Sequence, residues 1–309
     1  MKTTTLGAYK IPALTLGTVG LGINYGVFEG QEQPDVQAGA RLIARAVETG
    51  VTAFDTAREY GTAEALLAGV AQDERVTVIS KFKITREAAE NKTLAMQQAY
   101  QSVRESLRVL NISRLPVCLF HMVSDYNIDA VCTIIPEVLN SLEQDGLIAY
   151  GGISADGLTE LKRFATLSPV RVLQIPVNIF DQRLREDPVW EQLSRNNTLV
   201  FARSVFLKGL LLRRPDALKG NLRQAAVYLD ALQSFANEAG MSIAQFCFAY
   251  VRDMKGITSI VFGADNEAQL AQNIGFLDSG PIPADLLKRA TACFSTVPEE
   301  ILIPRSWKI

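Results

Sequence analysis

Val76-Thr77-Val78-Ile79-Ser80-Lys81 is an apolar, β-branched run that ends on an ionisable side chain. It lacks clean polar alternation, as expected of a strand packed inside a barrel on one side and covered by helices on the other. Two other runs share this design. Val51-Thr52-Ala53-Phe54 leads to Asp55, with Tyr60 five residues later, and residues 115–120 lead to His121, the only histidine.

Further strand-like segments extend the pattern along the chain, giving 13–18, 51–54, 76–80, 116–120, 148–153, 171–175, 198–203 and 258–262. Between them lie helical periodicities at Val36–Glu48, 94–110, Ile128–Gln144, 225–238, 243–253 and 267–277. Strands alternating with helices imply parallel pairing through right-handed crossovers. Eight strands of this kind predict an α/β fold, a single (β/α)8 TIM barrel domain over residues 1–309. Gly7, between two short β-prone pieces, predicts an N-terminal β-hairpin cap closing the barrel bottom. The competing doubly wound sheet would carry an early G-x-G-x-x-G fingerprint. Gly17-Thr18-Val19-Gly20-Leu21-Gly22 instead reads G-x-x-G-x-G with no evident helix start, a glycine-rich loop at the barrel mouth.

The bulk composition narrows the function. With 48% hydrophobic and 21% charged residues, 309 residues can bury one large core. A formal charge of −2 and no basic run speak against a nucleic-acid partner. The start Met1-Lys2-Thr3-Thr4-Thr5 lacks the apolar region of a signal peptide, and no stretch is long enough to suggest a membrane span. Cys118, Cys132, Cys247 and Cys293 are scattered and read as reduced thiols of a cytoplasmic protein. One histidine without clustered acids or cysteines makes a catalytic zinc site a poor reading, so no metal is expected.

At a barrel mouth the strand ends converge, which would gather Asp55, Lys81 and His121 with Tyr60 from the loop after Asp55. A phenol is a weak acid at neutral pH. A neighbouring ammonium favours its phenolate and is expected to lower its pKa, while a buried carboxylate holds that ammonium in place. The histidine would orient a carbonyl or relay a proton. Together they suit protonation of an oxygen whose carbon receives hydride. Individually the residues also allow plainer readings: a structural Lys81–Asp55 ion pair, a structural His121, and a Tyr60 that caps a loop.

Phe54-Asp55-Thr56-Ala57-Arg58-Glu59-Tyr60-Gly61 followed by Glu64 resembles the aldo-keto reductase signature. Ile79-Ser80-Lys81 resembles its lysine strand and Leu119-Phe120-His121 its histidine strand. The likeness continues through Gly151-Gly152-Ile153-Ser154, Gln174-Ile175-Pro176-Val177-Asn178, the stretch from Arg203 to Leu211, and residues 263–273. It implies a catalytic tetrad of Asp55, Tyr60, Lys81 and His121 with Tyr60 as general acid, and an NAD(H) or NADP(H) hydride donor bound without a Rossmann domain. By the same resemblance Ser154 and Gln174 lie near the nicotinamide carboxamide, and Ser204, Leu207 and Gly209 along the pyrophosphate. Gly263, Asp265, Gln269 and Asn273 lie around the adenosine, while Gly17, Thr18 and Asp55 complete the cofactor-binding set.

The chain departs from that pattern twice. Arg203 stands where many relatives stack an aromatic ring on the nicotinamide, so its guanidinium is expected either to stack or to meet phosphate. The loop Gly263-Ala264-Asp265-Asn266-Glu267-Ala268-Gln269 has two acids and no base, where NADP-specific relatives place a cation on the 2′-phosphate. This favours NAD(H) unless Asp265 merely caps the helix that starts nearby.

Substrate choice is assigned to the loops 24–35, 122–127 and 180–187 and to the C-terminal tail. These offer Tyr25, Phe28, Glu29, Gln31, Asp125, Tyr126, Asp181, Gln182, Arg183, Arg305 and Trp307. Leu16-Gly17-Thr18, Asn24-Tyr25-Gly26 and Asp181-Gln182-Arg183 look like a bacterial branch associated with sugars, implying a sugar-derived aldehyde, ketone or lactol. Two rivals stay open: a nicotinamide-binding regulatory subunit with little turnover, and a hydrolase or lyase on the same barrel.

Overall fold

The computed structural model describes residues 1–25, 33–123, 125–185 and 187–308. Two strands, β1 (Thr3–Leu6) and β2 (Tyr9–Pro12), form an antiparallel hairpin. Eight more follow: β3 (Leu14–Gly17), β4 (Ala53–Asp55), β5 (Thr77–Phe82), β6 (Leu115–His121), β7 (Ile148–Ser154), β8 (Val172–Pro176), β9 (Leu199–Arg203) and β10 (Ser259–Phe262). They pair in parallel, each with the next, and β10 returns to β3 to close a barrel. The eight expected strands are all present. The fold is a (β/α)8 TIM barrel with a small N-terminal antiparallel sheet.

The two-residue period of a strand decides which side chains enter the barrel. Ala53, Ile79, Val117, Leu119, Val172 and Phe201 pack together inside it, and Leu6 and Ile11 of the hairpin join them from below. Residues in phase with these, at the carboxyl ends of the same strands, are Asp55, Lys81, His121, Gln174 and Arg203. Alternate residues such as Phe54, Val78, Phe82 and Phe120 turn outward into the larger core beneath the helices. The apolar layers inside the barrel therefore form the floor on which the polar groups at its mouth stand. Gly7, at φ +57°, makes the hairpin turn, and a β-carbon there would strike the Tyr150 hydroxyl at 2.0 Å.

The helices at Val36–Glu48 and Ile128–Gln144 occupy the expected ranges. Asp35 caps the first by accepting from the Ala38 amide, and Asn127 caps the second through the Asp129 and Ala130 amides. Expected helices at 94–110, 225–238, 243–253 and 267–277 appear as Lys92–Leu110, Ala226–Glu238, Ile243–Arg252 and Glu267–Gly275. Leu158–Phe164, Val189–Arg195 and Ala284–Phe294 were not anticipated. None of them has a side-chain cap, and the first two are only seven residues long, which leaves little periodicity to read. A four-residue helix, Val19–Gly22, also starts inside the glycine-rich stretch, where none was expected. No helix among the described residues is long and apolar enough to cross a membrane.

Candidate active site

Strand β5 carries Lys81 into the barrel mouth with 1% of its surface exposed. Its ammonium donates to both carboxylate oxygens of Asp55, at 2.7 and 2.8 Å, and to the Thr56 carbonyl at 2.9 Å. The Tyr60 hydroxyl lies 3.5 Å from the same nitrogen, and the ammonium stands 5.0 Å from the Tyr60 ring centre. Burial works against the charged lysine, but Asp55 and Tyr60 outweigh it and raise the Lys81 pKa above its usual value. Lys81 is therefore an ammonium at neutral pH.

The carboxylate has a second donor. Gln174 Nε2 gives a hydrogen bond to Asp55 Oδ1 at 2.6 Å, and Ser154 Oγ donates to Gln174 Oε1 at 3.0 Å. Direct hydrogen bonds thus form a buried polar chain from β7 through β8 and β4 to β5. Thr18 fixes the end of β4 by donating from both its amide and hydroxyl to the Asp55 carbonyl, at 2.9 and 3.0 Å.

Tyr60 is held from behind by the glycine-rich stretch. The Thr62 amide donates to the Gly22 carbonyl at 3.3 Å, and the Ala63 amide to the Tyr60 carbonyl at 3.0 Å. Burial raises the phenol pKa above 10.0; Lys81 and Arg203 pull it down, Asp55 pushes it up, and the net direction is upward. The ammonium lowers it, as expected from the sequence, but burial outweighs that contribution. Spacing along the chain shows the neighbouring charge but not the depth of burial.

His121 ends β6 with its Nδ1 enclosed and without a hydrogen-bond partner among the described residues, 3.9 Å from Glu59 Oε2. Glu64, the last residue of the signature, is fully buried, accepts from Ser80 Oγ at 2.7 Å, and pairs with Arg58. It braces the loop from outside the barrel and does not enter the mouth.

The remaining expected site residues fall into three groups. Arg203 ends β9 but turns aside: its guanidinium donates to the Ala155 carbonyl at 3.0 Å, to the Ser204 hydroxyl at 3.3 Å and to the Asp156 carboxylate. Ser204, Leu207, Lys208 and Gly209 all have positive φ, from +46° to +87°, an uncommon backbone conformation for the three that are not glycine. Lys208 reaches the Tyr25 ring at 5.4 Å. At the far side, Asn266 and not Asp265 caps the helix Glu267–Gly275, accepting from Gln269 N at 3.0 Å. Asp265 is held by Gln269 instead, whose amide reaches its carboxylate at 3.3 Å. Asn273 gives its amide to the Gln269 carbonyl at 2.8 Å, leaving its buried Oδ1 without a partner among the described residues. Gly17 packs with ordinary to tight clearance against Val261, whereas Gly263 has open space around it.

Several residues assigned to substrate choice are engaged within the chain. Tyr126 is buried and donates to the Ile84 carbonyl. Asp181 accepts from Arg183, which also pairs with Glu299 at 2.9 Å and so ties the loop to the C-terminal segment. Gln182 accepts from the Tyr250 hydroxyl at 3.1 Å, and Trp307 donates to the Ile301 carbonyl at 3.0 Å. Tyr25, Asp125 and Arg305 are exposed. Phe28, Glu29 and Gln31 lie outside the described residues. The sequence reading missed Glu59 beside His121 and the Thr56 carbonyl under Lys81. An acid placed directly before Tyr60 was the available signal for the first, while a main-chain acceptor leaves no signal at all.

A sequence model of the aldo/keto reductase family matches residues 13–294. The chain belongs to the aldo/keto reductase family. As an aldo/keto reductase it is an NAD(P)-dependent oxidoreductase acting on small carbonyl or alcohol compounds. It is similar to "Uncharacterized oxidoreductase YqkF" of Bacillus subtilis (strain 168), 25% identical over 252 residues that make up 75% of this chain and 80% of that protein. Among solved structures it resembles the glycerol dehydrogenase AKR11B4 from Gluconobacter oxydans, with a TM-score of 0.70, 20% identity and 94% of each chain covered. An aldo/keto reductase from Klebsiella pneumoniae, in complex with NADP and acetate, has a TM-score of 0.66, 19% identity and 92% of each chain covered. At these identities the structural likeness concerns the fold.

Proposed function

We propose that residues 1–309 act as one unit in which Tyr60 is the proton donor for carbonyl reduction and the acceptor for alcohol oxidation. The observation that carries this reading is Lys81, whose nitrogen touches the Asp55 carboxylate and the Tyr60 hydroxyl at once. Its ammonium stabilises the phenolate left when Tyr60 gives up its proton, and Asp55 keeps that ammonium in place. Burial keeps Tyr60 protonated until it is used. His121 supplies an imidazole at the same mouth to orient the reacting oxygen.

The nicotinamide dinucleotide, when bound, supplies or accepts the hydride. The residues fit such a group. Asn273 Oδ1 is a buried, unpartnered acceptor suited to an amino group such as that of adenine. Ser154 and Gln174 would hold the carboxamide, and Ser204, Leu207 and Gly209 offer a rim loop of unusual backbone shape for the pyrophosphate. Gly17, Thr18, Gly263, Asp265 and Gln269 complete the proposed set. Arg203, tied to the loop after β7, would meet phosphate or the nicotinamide ring only by leaving Asp156.

Two acids and no base between residues 263 and 269 favour NAD(H) over NADP(H). The NADP bound to the Klebsiella relative belongs to that protein. Exposed Tyr25 and Asp125 and the polar rim favour a hydroxylated substrate, a sugar-derived aldehyde, ketone or lactol, and AKR11B4 is named for a polyol. Reduced, buried Cys118 and Cys247 fit a cytoplasmic setting. The test is fluorescence titration with NADH and NADPH, followed by a panel of polyols and sugar aldehydes with the tighter dinucleotide. Saturable binding with turnover on the panel supports the reading. Folded protein that binds neither dinucleotide overturns it, and binding without turnover would favour a regulatory subunit.

A further inference from the structure

His121 is the only histidine in the chain, and its Nδ1 is enclosed by protein with no hydrogen-bond partner among the described residues. A buried ring nitrogen left in that state is unusual, because buried polar groups are nearly always paired. The nearest carboxylate is Glu59, 3.9 Å from Nδ1, on the loop that also carries Tyr60. Less than 1.5 Å of movement by a flexible side chain that is 38% exposed would close that gap to hydrogen-bonding distance. The histidine side chain keeps 24% exposure, and none of it falls on Nδ1.

We propose that Glu59 is a positioning residue for His121: its carboxylate takes the Nδ1–H hydrogen bond and fixes the neutral ring in the form whose Nε2 bears the lone pair. A histidine bonded at one nitrogen by a carboxylate has its tautomer and orientation set by that bond. Among the described residues, other groups around the pair do not compete for this role. Lys83 acts on Glu59 from a distance, Lys81 is occupied by Asp55 and Thr56, and Tyr126 is spent on Ile84. Asp125 is exposed, on the loop that follows β6. Burial pushes the Glu59 carboxyl up, but the His121 ring, the residue's own backbone amide and Lys83 together hold it below its usual range.

This placement deepens the proposed function, on which its consequence for substrate rests. An Nε2 lone pair accepts a hydrogen bond, so the ring recognises a hydroxyl. It would bind the alcohol itself in oxidation, or a hydroxyl beside the carbonyl in reduction. An Nε2–H ring would instead favour a bare carbonyl oxygen.

The test is the tautomer itself. With a single histidine, ¹⁵N-labelled imidazole gives one ring signal set, read in the intact protein across an alkaline pH series. The wild type is expected to show the Nδ1–H form, and Glu59→Ala the Nε2–H form that dominates a free histidine side chain. Wild-type protein already in the Nε2–H form would overturn the proposal without any variant, as would an Nδ1–H ring that persists in Glu59→Ala. The measurement needs no turnover, so failure of the Tyr60 assignment would leave it standing.

Discussion

Gly22 lies against Tyr60 so closely that a β-carbon on it would sit 1.8 Å from the Tyr60 carbonyl oxygen. The return contact is as tight, since a β-carbon on Gly61 would meet the Gly22 carbonyl at 2.3 Å. Both obstacles are backbone, so neither can swing away. Gly22→Ala is expected to cost about 1–3 kcal/mol of stability and to lower kcat by displacing Tyr60. Thermal melts and steady-state kinetics would check this, and wild-type values for both would show that Gly22 does not position the tyrosine.

Asp55→Asn keeps the shape of the side chain but leaves the Lys81 ammonium buried without its counter-charge. Removing one partner of a buried ion pair costs about 3–5 kcal/mol. The effect has a defined pH sense. The folded pKa of Lys81 is raised, so the stability it contributes is complete below the ordinary lysine range and is lost as pH rises through the folded value. Asp55→Asn is therefore expected to lower Tm most at neutral pH and to narrow its gap from wild type in strong alkali. A gap that stays constant with pH would contradict the pairing.

The raised Tyr60 pKa sets the pH profile of catalysis. Reduction uses the phenol, so initial rates are expected to hold level through about pH 9 and fall only beyond the ordinary tyrosine range. Oxidation uses the phenolate and is expected to rise with pH over the same span. A reduction rate that falls between pH 7 and 8 would assign the proton to another group.

Arg203 is held by Asp156, Ala155 and Ser204 around the far rim of the mouth. If its guanidinium meets the dinucleotide, Arg203→Ala loses a charged hydrogen bond of about 1.5–3 kcal/mol, a rise in Kd of roughly tenfold or more. Equilibrium titration measures this directly. Unchanged affinity would leave Arg203 as a clamp on the loop after β7 and nothing more.

Much of this was legible in the sequence, and the reasons are specific. Asp55, Lys81 and His121 could be placed together because each follows a recognisable apolar run, and a parallel barrel brings all such strand ends to one face. Strand phase then aims them inward, as it aims Ile79 two residues before Lys81. Burial and side-chain reach were not legible. Lys81 pulls the Tyr60 pKa down as expected, but solvent exclusion, which spacing does not show, outweighs it. The cap allowed as a plainer reading of Asp265 belongs to its neighbour Asn266, and Tyr126 and Asp181 are engaged within the chain, since local sequence does not say which polar group a loop will use to hold itself.

The central claim, that Tyr60 carries the proton, is tested most directly by comparing wild type with Tyr60→Phe in one preparation free of background reductase. Dinucleotide binding by fluorescence and carbonyl reduction by absorbance would be measured side by side. The account predicts unchanged binding and a loss of turnover of about 10²–10⁴-fold. Comparable turnover in Tyr60→Phe would contradict it.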